Sequence, residues 1–223
     1  MLLAGCNRQT FQVKIQNQQY VLNSTFSDNP EVDTFVNPYR DSLETAMDKV
    51  LAFSETELTI GRPGKDLFPS QVALGNFMND AVLSVARQKA AELGKPTPNI
   101  SIFTWGSFRR SLPAGKITLR NIYELMPFEN EMVVLKLSGG QLTALLNQLS
   151  ENYNPIGGAK MTQGDASSIL LDNGKAIQEG EFYYVLASDY HAFGGDNLNI
   201  LKEALDQYFC GIKMRDALVG YLD

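Results

Sequence analysis

Histidine is nearly missing from these 223 residues, and His191 stands alone. A dinuclear hydrolytic centre needs several His and Asp ligands held together, and neither H-E-x-x-H nor Asn-His-Glu occurs in the chain. Cysteine is scarce too. Cys6 and Cys210 are the two thiols, which excludes Cys₂His₂ and Cys₄ zinc sites and any disulfide framework. No apolar run reaches the roughly 18 residues that span a bilayer. No G-x-G-x-x-G follows the first strand and no G-x-x-x-x-G-K appears, so dinucleotide-fold and P-loop readings fail on their motifs. Positive charge is in short supply, with 19 Lys and Arg against 25 Asp and Glu and a net charge of -6. An acidic chain gains nothing from counterion release, so nucleic acid is not an expected partner, although a local basic pocket for one small phosphate ligand is still allowed.

What is present describes an ordinary globular chain. Hydrophobic residues make up 44% and charged residues 20%, and the length suits one large domain or two small ones. At the N-terminus, Leu3-Ala4-Gly5-Cys6 resembles a bacterial lipobox, with a polar Asn-Arg-Gln tether after the Cys. The stretch before it is too short for a full signal peptide. Residues 1–6 are therefore expected to be a signal remnant with Cys6 lipidated. That would place the protein in the cell envelope, lipid-anchored and facing the periplasm or exterior, with no other membrane contact.

Periodicity organises the rest. Residues 7–34 alternate at Phe11, Val13 and Ile15 and again at Tyr20 and Leu22, an expected strand or hairpin arm ended by Asn37-Pro38. Leu43, Met47, Val50 and Leu51 stand at helical spacing, which predicts a linker helix over 39–53 within an N-terminal region 7–56. Glu57–Ile60 reads as a strand. The clearest helix covers 70–93, capped by Ser70, with Val72, Phe77, Ala81, Val82, Val85 and Ala86 as its apolar face and Gly94 and Pro96 as its stop. Ile100–Phe103 opens a buried strand, and Thr118 caps a short helix ending near Met126. The unbroken apolar run Met132–Leu137 predicts a central strand. Gly139-Gly140 separates it from a helix over 141–149. Ile169–Leu171 and Phe182–Ala187 are expected to pair, and helices are expected around 199–206 and 212–222. Strands and helices mix without strict alternation, so the fold class is α+β with mixed β-sheets and packed helices.

Four segments in order carry a resemblance. They are Ala73-Leu74-Gly75-Asn76-Phe77-Met78-Asn79-Asp80-Ala81, Arg109–Thr118, Leu125-Met126-Pro127-Phe128-Glu129-Asn130 and Asp189-Tyr190-His191-Ala192-Phe193-Gly194-Gly195-Asp196. Their order and spacing across 57–223 resemble the C-terminal, substrate-binding domain of the 5'-nucleotidase and UDP-sugar hydrolase family. In that family a metallophosphatase domain with two metal ions normally precedes this one, and these residues hold no counterpart of it. The resemblance therefore implies that this chain binds no cofactor itself. The two divalent metals would reside on a separate metallophosphatase chain, which would supply the hydrolysis.

The resemblance also implies roles. Phe128 and Tyr190 would hold the nucleobase between their rings, a contact that tolerates base exchange. From the residues alone, both read more readily as core aromatics, and the motif context reverses that. Arg109 would contact phosphate with its two-pronged guanidinium; read alone, it could be a solvated loop cation, as Arg110 beside it is taken to be. Asp196, after the permissive Gly194-Gly195 pair, would accept ribose hydroxyls, or could simply close a turn. Asn130 offers a donor and an acceptor to a base edge or a turn cap. His191 is read as structural. Three positions depart from the family pattern: Thr104 stands in place of an Asn, bulky Trp105 in place of a Gly, and Phe68 near the place of an Arg, with Arg62 and Lys65 close by. The base and ribose site thus looks kept and the phosphate site half lost. The function expected is the nucleotide-recognising half of a 5'-nucleotidase. The alternatives are a stand-alone nucleoside- or nucleotide-binding lipoprotein and a degenerate scaffold without a ligand.

Overall fold

A five-stranded mixed sheet holds the molecule together, and its apolar strands are covered on both faces. In the computed structural model, residues 27–61, 69–162 and 165–223 are described, with a few isolated positions between 14 and 23; at 69–71, 161–162 and 165–168 this concerns the backbone alone. Cys6, Phe11, Val13, Ile15, Arg62, Lys65 and Phe68 lie outside the described residues. The chain divides into two units, 1–42 and 43–223, and the second carries the fold. Its elements are β1 (Val50–Ser54), α2 (Pro69–Glu92), β2 (Ile100–Ile102), β3 (Gly115–Thr118), α3 (Leu119–Leu125), β4 (Glu131–Ser138), α4 (Gly139–Glu151), β5 (Ile156–Gly157), β6 (Ala159–Thr162), β7 (Asp165–Leu171), β8 (Phe182–Ser188), α5 (Asp189–Ala192), β9 (Asp206–Lys213) and α6 (Met214–Leu222), with α1 (Pro30–Met47) before them. The main sheet has the order β5-β2-β8-β4-β9, and β1-β3 and β6-β7 form separate pairs. Within the main sheet β2 and β8 run parallel; the other neighbours are antiparallel.

The apolar run at 132–137 is continuous because β4 serves two cores. Met132 and Val134 face one cluster, with Leu74, Met78, Val82, Ile122 and Leu218 from α2, α3 and α6. Val133, Leu135 and Leu137 face the other, with Leu142, Leu145 and Leu149 of α4. Each such fully buried aliphatic side chain contributes about 1.5–3 kcal/mol of transfer free energy. Thr118 caps α3 as expected, in a reciprocal box with Asn121.

Several expectations fail for identifiable reasons. The helix expected over 39–53 runs instead from Pro30 to Met47, with Asn37-Pro38 inside it. Pro38 removes one helical hydrogen bond, to the carbonyl of Thr34, on an exposed stretch where water can satisfy it. Val50–Ser54 is then free to pair with β3. Glu57–Ile60 makes a single bridge, Leu58 to Leu112, rather than a strand. Val72 is exposed, off the buried face of α2. Gly139 and Gly140 open α4 instead of separating it from β4, because Ser138 caps the helix through Gln141. Gly139 has to be glycine: a Cβ there would stand 2.0 Å from the Gln178 carbonyl oxygen. β7 pairs with β6, and β8 pairs with β2 and β4, so the expected 169–187 pairing does not form. The stretch 199–206 is a 3₁₀ segment, Asn199–Glu203, and β9 occupies 206–213, where a helix was expected to begin.

Candidate functional site

The site lies at the end of the sheet where β8 stops and β4 starts. Met132 pairs with Ser188 there, so the loop that enters β4 and the short helix that leaves β8 stand side by side. The first brings Phe128 and Asn130, and the second brings Tyr190 and His191. The Trp105–Ser107 3₁₀ turn after β2 adds Gly106 and Arg109, and a second 3₁₀ turn, Gly195–Asn197, adds Asp196. Between them is a cavity of about 440 Å³, within the range of small-molecule sites. Arg109, Phe128, Asn130, Tyr190 and Asp196 all line it.

Tyr190 is half exposed while His191 beside it is buried. The Tyr190 ring folds back over Gly195, where an added Cβ would meet ring carbons at 2.4–2.6 Å. Its hydroxyl donates to Asp196 Oδ1 at 3.0 Å. Gly194 has φ 90 and makes the turn, with Lys202 and Asn199 where its Cβ would be. Neither glycine lines the cavity. Both shape the chain that presents Tyr190 and Asp196, and what approaches their Cα atoms is this protein's own side chains. Asp196 and Asn197 hold left-handed backbone, φ 51 and 63, a cost of the kind that concentrates at functional sites.

Arg109 stacks its guanidinium over the Phe128 ring, 4.6 Å from the centroid, and donates to the Gly106 carbonyl. Asn130 donates to Asp189 Oδ1 at 2.8 Å. The loop carrying Phe128 and Asn130 is braced from α6. Glu129 pairs with Lys213 and with buried Arg215, whose guanidinium lies 4.1 Å over Tyr123. The hydrogen bond from Lys213, then that from Arg215, holds the Glu129 carboxyl down at about 2. The Met214 N–H donates to the Asn130 carbonyl at 2.9 Å.

Ser188 and His191 line the cavity and Thr104 bonds to its Asp196; these three escaped the sequence reading as a group. Thr104 donates to Asp196 Oδ2 at 2.5 Å. Ser188 caps α5 by accepting from the His191 N–H and lies 3.0 Å from Nδ1. His191 Nε2 is 3.3 Å from both Thr104 Oγ1 and Asp196 Oδ2. The Ser-x-x-His spacing at a strand end was the available signal, since a cap contacts the residue three positions on. Burial lowers the His191 pKa, partly opposed by Asp196 and Asp189. Burial pushes the Asp196 carboxyl up, but the hydrogen bonds from Thr104, Tyr190 and His191 outweigh it and hold it below its ordinary value. Trp105 does not obstruct the cavity. Its ring packs on Gly61 and points toward Gly75, and its Nε1–H donates to the Tyr153 carbonyl at 2.8 Å. Among the described residues no three His, Cys, Asp or Glu side chains converge as metal ligands would, so these residues do not fit a two-ion centre.

A family model described as "5'-nucleotidase, C-terminal domain" matches residues 50–203. Among curated relatives, the trifunctional nucleotide phosphoesterase protein YfkN of Bacillus subtilis is 25% identical over 79% of this chain and 13% of its own length. A 5'-nucleotidase of Vibrio vulnificus is 23% identical over 81% of this chain and 32% of its own length. The chain thus spans about a third or less of the length of these two relatives. In three dimensions it is similar to a 5'-nucleotidase precursor from Thermus thermophilus, with TM-score 0.64, 24% identity and coverage of 86% of this chain and 40% of that one. A 5'-nucleotidase described as putative, from Staphylococcus aureus, gives TM-score 0.65, 18% identity and coverage of 91% and 42%. At these identities the structural likeness bears on the fold alone.

Proposed function

The chain belongs to the family of 5'-nucleotidase C-terminal domains, and from that premise we propose that it is the nucleotide-recognising part of a 5'-nucleotidase, with phosphate-ester hydrolysis supplied by a dimetal domain outside these 223 residues. One observation carries this: Arg109, Phe128, Asn130, Tyr190 and Asp196, which come from three separate segments of the sequence, line a single cavity at the sheet end. Phe128 and Tyr190 offer aromatic surface to a flat base, Asn130 offers an amide to its edge, Asp196 a carboxylate to sugar hydroxyls, and Arg109 a cation to phosphate. Arg109 would leave the Phe128 ring to reach a phosphate, and the base would take its place on the ring. A lipid anchor at Cys6, holding the protein at the cell envelope, belongs to the same reading and is checked by mass spectrometry of the mature N-terminus.

Titration calorimetry with AMP and adenosine tests the site. Both ligands bind the wild type, and Arg109→Ala weakens AMP while leaving adenosine nearly unchanged, because only AMP carries the phosphate. Failure of both ligands at millimolar concentration refutes the reading. A second reading, a stand-alone binder of nucleosides, is favoured by the pairing of Arg109 with Phe128: Arg109 is the one Lys or Arg among the described residues that line the cavity, and it is already engaged. Wild-type protein that prefers adenosine to AMP decides for it.

A further inference from the structure

The Asp196 carboxylate sits where a sugar would be held, yet much of its hydrogen-bonding capacity is already used. A carboxylate has about four acceptor positions, two on each oxygen. Thr104 donates its hydroxyl to Oδ2 at 2.5 Å. The second donor to Oδ2 follows from the tautomer of His191. The His191 main-chain N–H donates to Ser188 Oγ at 3.2 Å. The Ser188 hydroxyl, 3.0 Å from Nδ1, can donate or accept there, so the choice is made at Nε2: it faces the Asp196 carboxylate, which only accepts, and must bring the hydrogen itself, leaving Nδ1 as the acceptor. With Nδ1 accepting, a neutral imidazole carries its hydrogen on Nε2. That hydrogen faces Asp196 Oδ2 and Thr104 Oγ1, each at 3.3 Å. Oδ2 is then filled. Oδ1 accepts from the Tyr190 hydroxyl at 3.0 Å, and one position on it remains.

The Tyr190 hydroxyl is not free to leave. It also accepts from the Asp196 main-chain N–H at 3.3 Å. Its ring lies on Gly195, close enough that a Cβ there would collide with it. A cis-diol brings two hydroxyls to this carboxylate, and one position awaits them.

We propose that this site engages the sugar of its ligand through a single hydroxyl at Asp196, and that the Tyr190 hydroxyl is the group that removes the second acceptor position. The inference rests on the nucleoside-binding reading above and adds the substrate class: ribonucleosides and monodeoxynucleosides are accepted alike. Tyr190 is a specificity-determining residue in this sense, acting by its hydroxyl as well as by its ring.

Calorimetry with adenosine, 2'-deoxyadenosine, 3'-deoxyadenosine and 2',3'-dideoxyadenosine tests it on the wild type and on Tyr190→Phe, which keeps the ring and removes only the hydroxyl. In the wild type, adenosine and at least one monodeoxy compound bind within about twofold of each other, and the dideoxy compound binds roughly tenfold more weakly, as for loss of one hydrogen bond to a charged acceptor. In Tyr190→Phe the second position opens, and adenosine gains roughly fivefold or more over both monodeoxy compounds. A wild type that prefers adenosine by about tenfold or more over both monodeoxy compounds overturns the inference, as does a Tyr190→Phe variant with unchanged ranking. Equal binding of all four nucleosides also overturns it while leaving base recognition standing. Binding of none of them overturns both.

Discussion

The two ends of the β4–β8 ladder are built from the same parts and come out differently. At one end Ser138 closes β4, caps a helix and is followed by Gly139-Gly140; at the other Ser188 closes β8, caps a helix and is followed by Gly194-Gly195. The first end produces α4, thirteen residues long, with its leucines buried against the sheet and backbone packed on backbone at Gly139. The second produces four residues of helix, three left-handed residues, a half-exposed tyrosine and a polar floor beneath a cavity. Regularity is spent where nothing has to be bound. The irregular end keeps its polar groups satisfied by one another, and that is what lets a cavity persist in a folded chain.

The comparison can be broken most directly at the glycines. Gly139→Ala forces a Cβ against main-chain carbonyl that cannot step aside, at a cost of about 3 kcal/mol in folding stability; thermal melting measures it. Gly195→Ala meets the half-exposed Tyr190 side chain and no main chain, so it displaces that ring and its hydrogen bonds to Asp196: melting changes less than at Gly139 while nucleoside affinity falls. Equal losses of stability at the two positions would erase the distinction.

The next effect is on binding. Phe128→Ala and Tyr190→Ala each weaken nucleoside by roughly 1–3 kcal/mol, as truncation of a stacking ring does, without early melting, because both rings are at least partly exposed. Variants that melt early and bind normally would make these rings packing residues like those of α4.

How much of this could be read in advance follows the same division. β4, α2 and the Thr118 cap were legible because periodicity and local hydrogen bonding decide them. β9 was not, because Tyr208 and Phe209 stand together, Gly211 takes φ 69 and the pairing with β4 slips between Glu131 and Val133, so neither period is clean. α1 was misplaced because a proline inside a helix argues for its end. At the site, five of the side chains that line the cavity, Arg109, Phe128, Asn130, Tyr190 and Asp196, came from motif resemblance. The Thr104–His191–Ser188 floor did not, since it joins residues that only the sheet brings together. Trp105, read as an intruder, is tucked against glycines that no local pattern connects to it.

Smaller still is the difference between the caps. Ser138→Ala removes the bond from the Gln141 N–H to its hydroxyl, one of the two reciprocal hydrogen bonds, and costs about 1 kcal/mol, seen in denaturant titration. Ser188→Ala costs a similar amount but also frees Nδ1 of His191, so it alone shifts the tautomer balance read by imidazole ¹⁵N chemical shifts.

The smallest effect is the pH slope. Burial lowers His191 below its ordinary 6.5 in the folded chain, against the pull of Asp196 and Asp189. As pH falls below 6.5 the unfolded chain binds a proton that the folded chain resists, so stability declines down to the lowered pKa. Denaturant titrations between pH 7 and 5 should show this decline in the wild type and a flatter profile in His191→Asn. Identical slopes would mean that the floor carries no burial penalty.

The strand order carries a consequence for how the chain is made. β4, the strand that serves both cores, has β8 and β9 as its neighbours, and both follow it in sequence. On a ribosome β4 therefore emerges with both edges bare and waits for Ser188 before its first full ladder can close. β2 waits as long for its parallel partner, since Ile100 pairs with Val185. Pairings this distant in sequence form slowly, and the waiting edges are the ones through which nascent chains stick to each other. A chain released just short of Phe182 would carry α2 and α4 whole and leave β4 with no strand beside it.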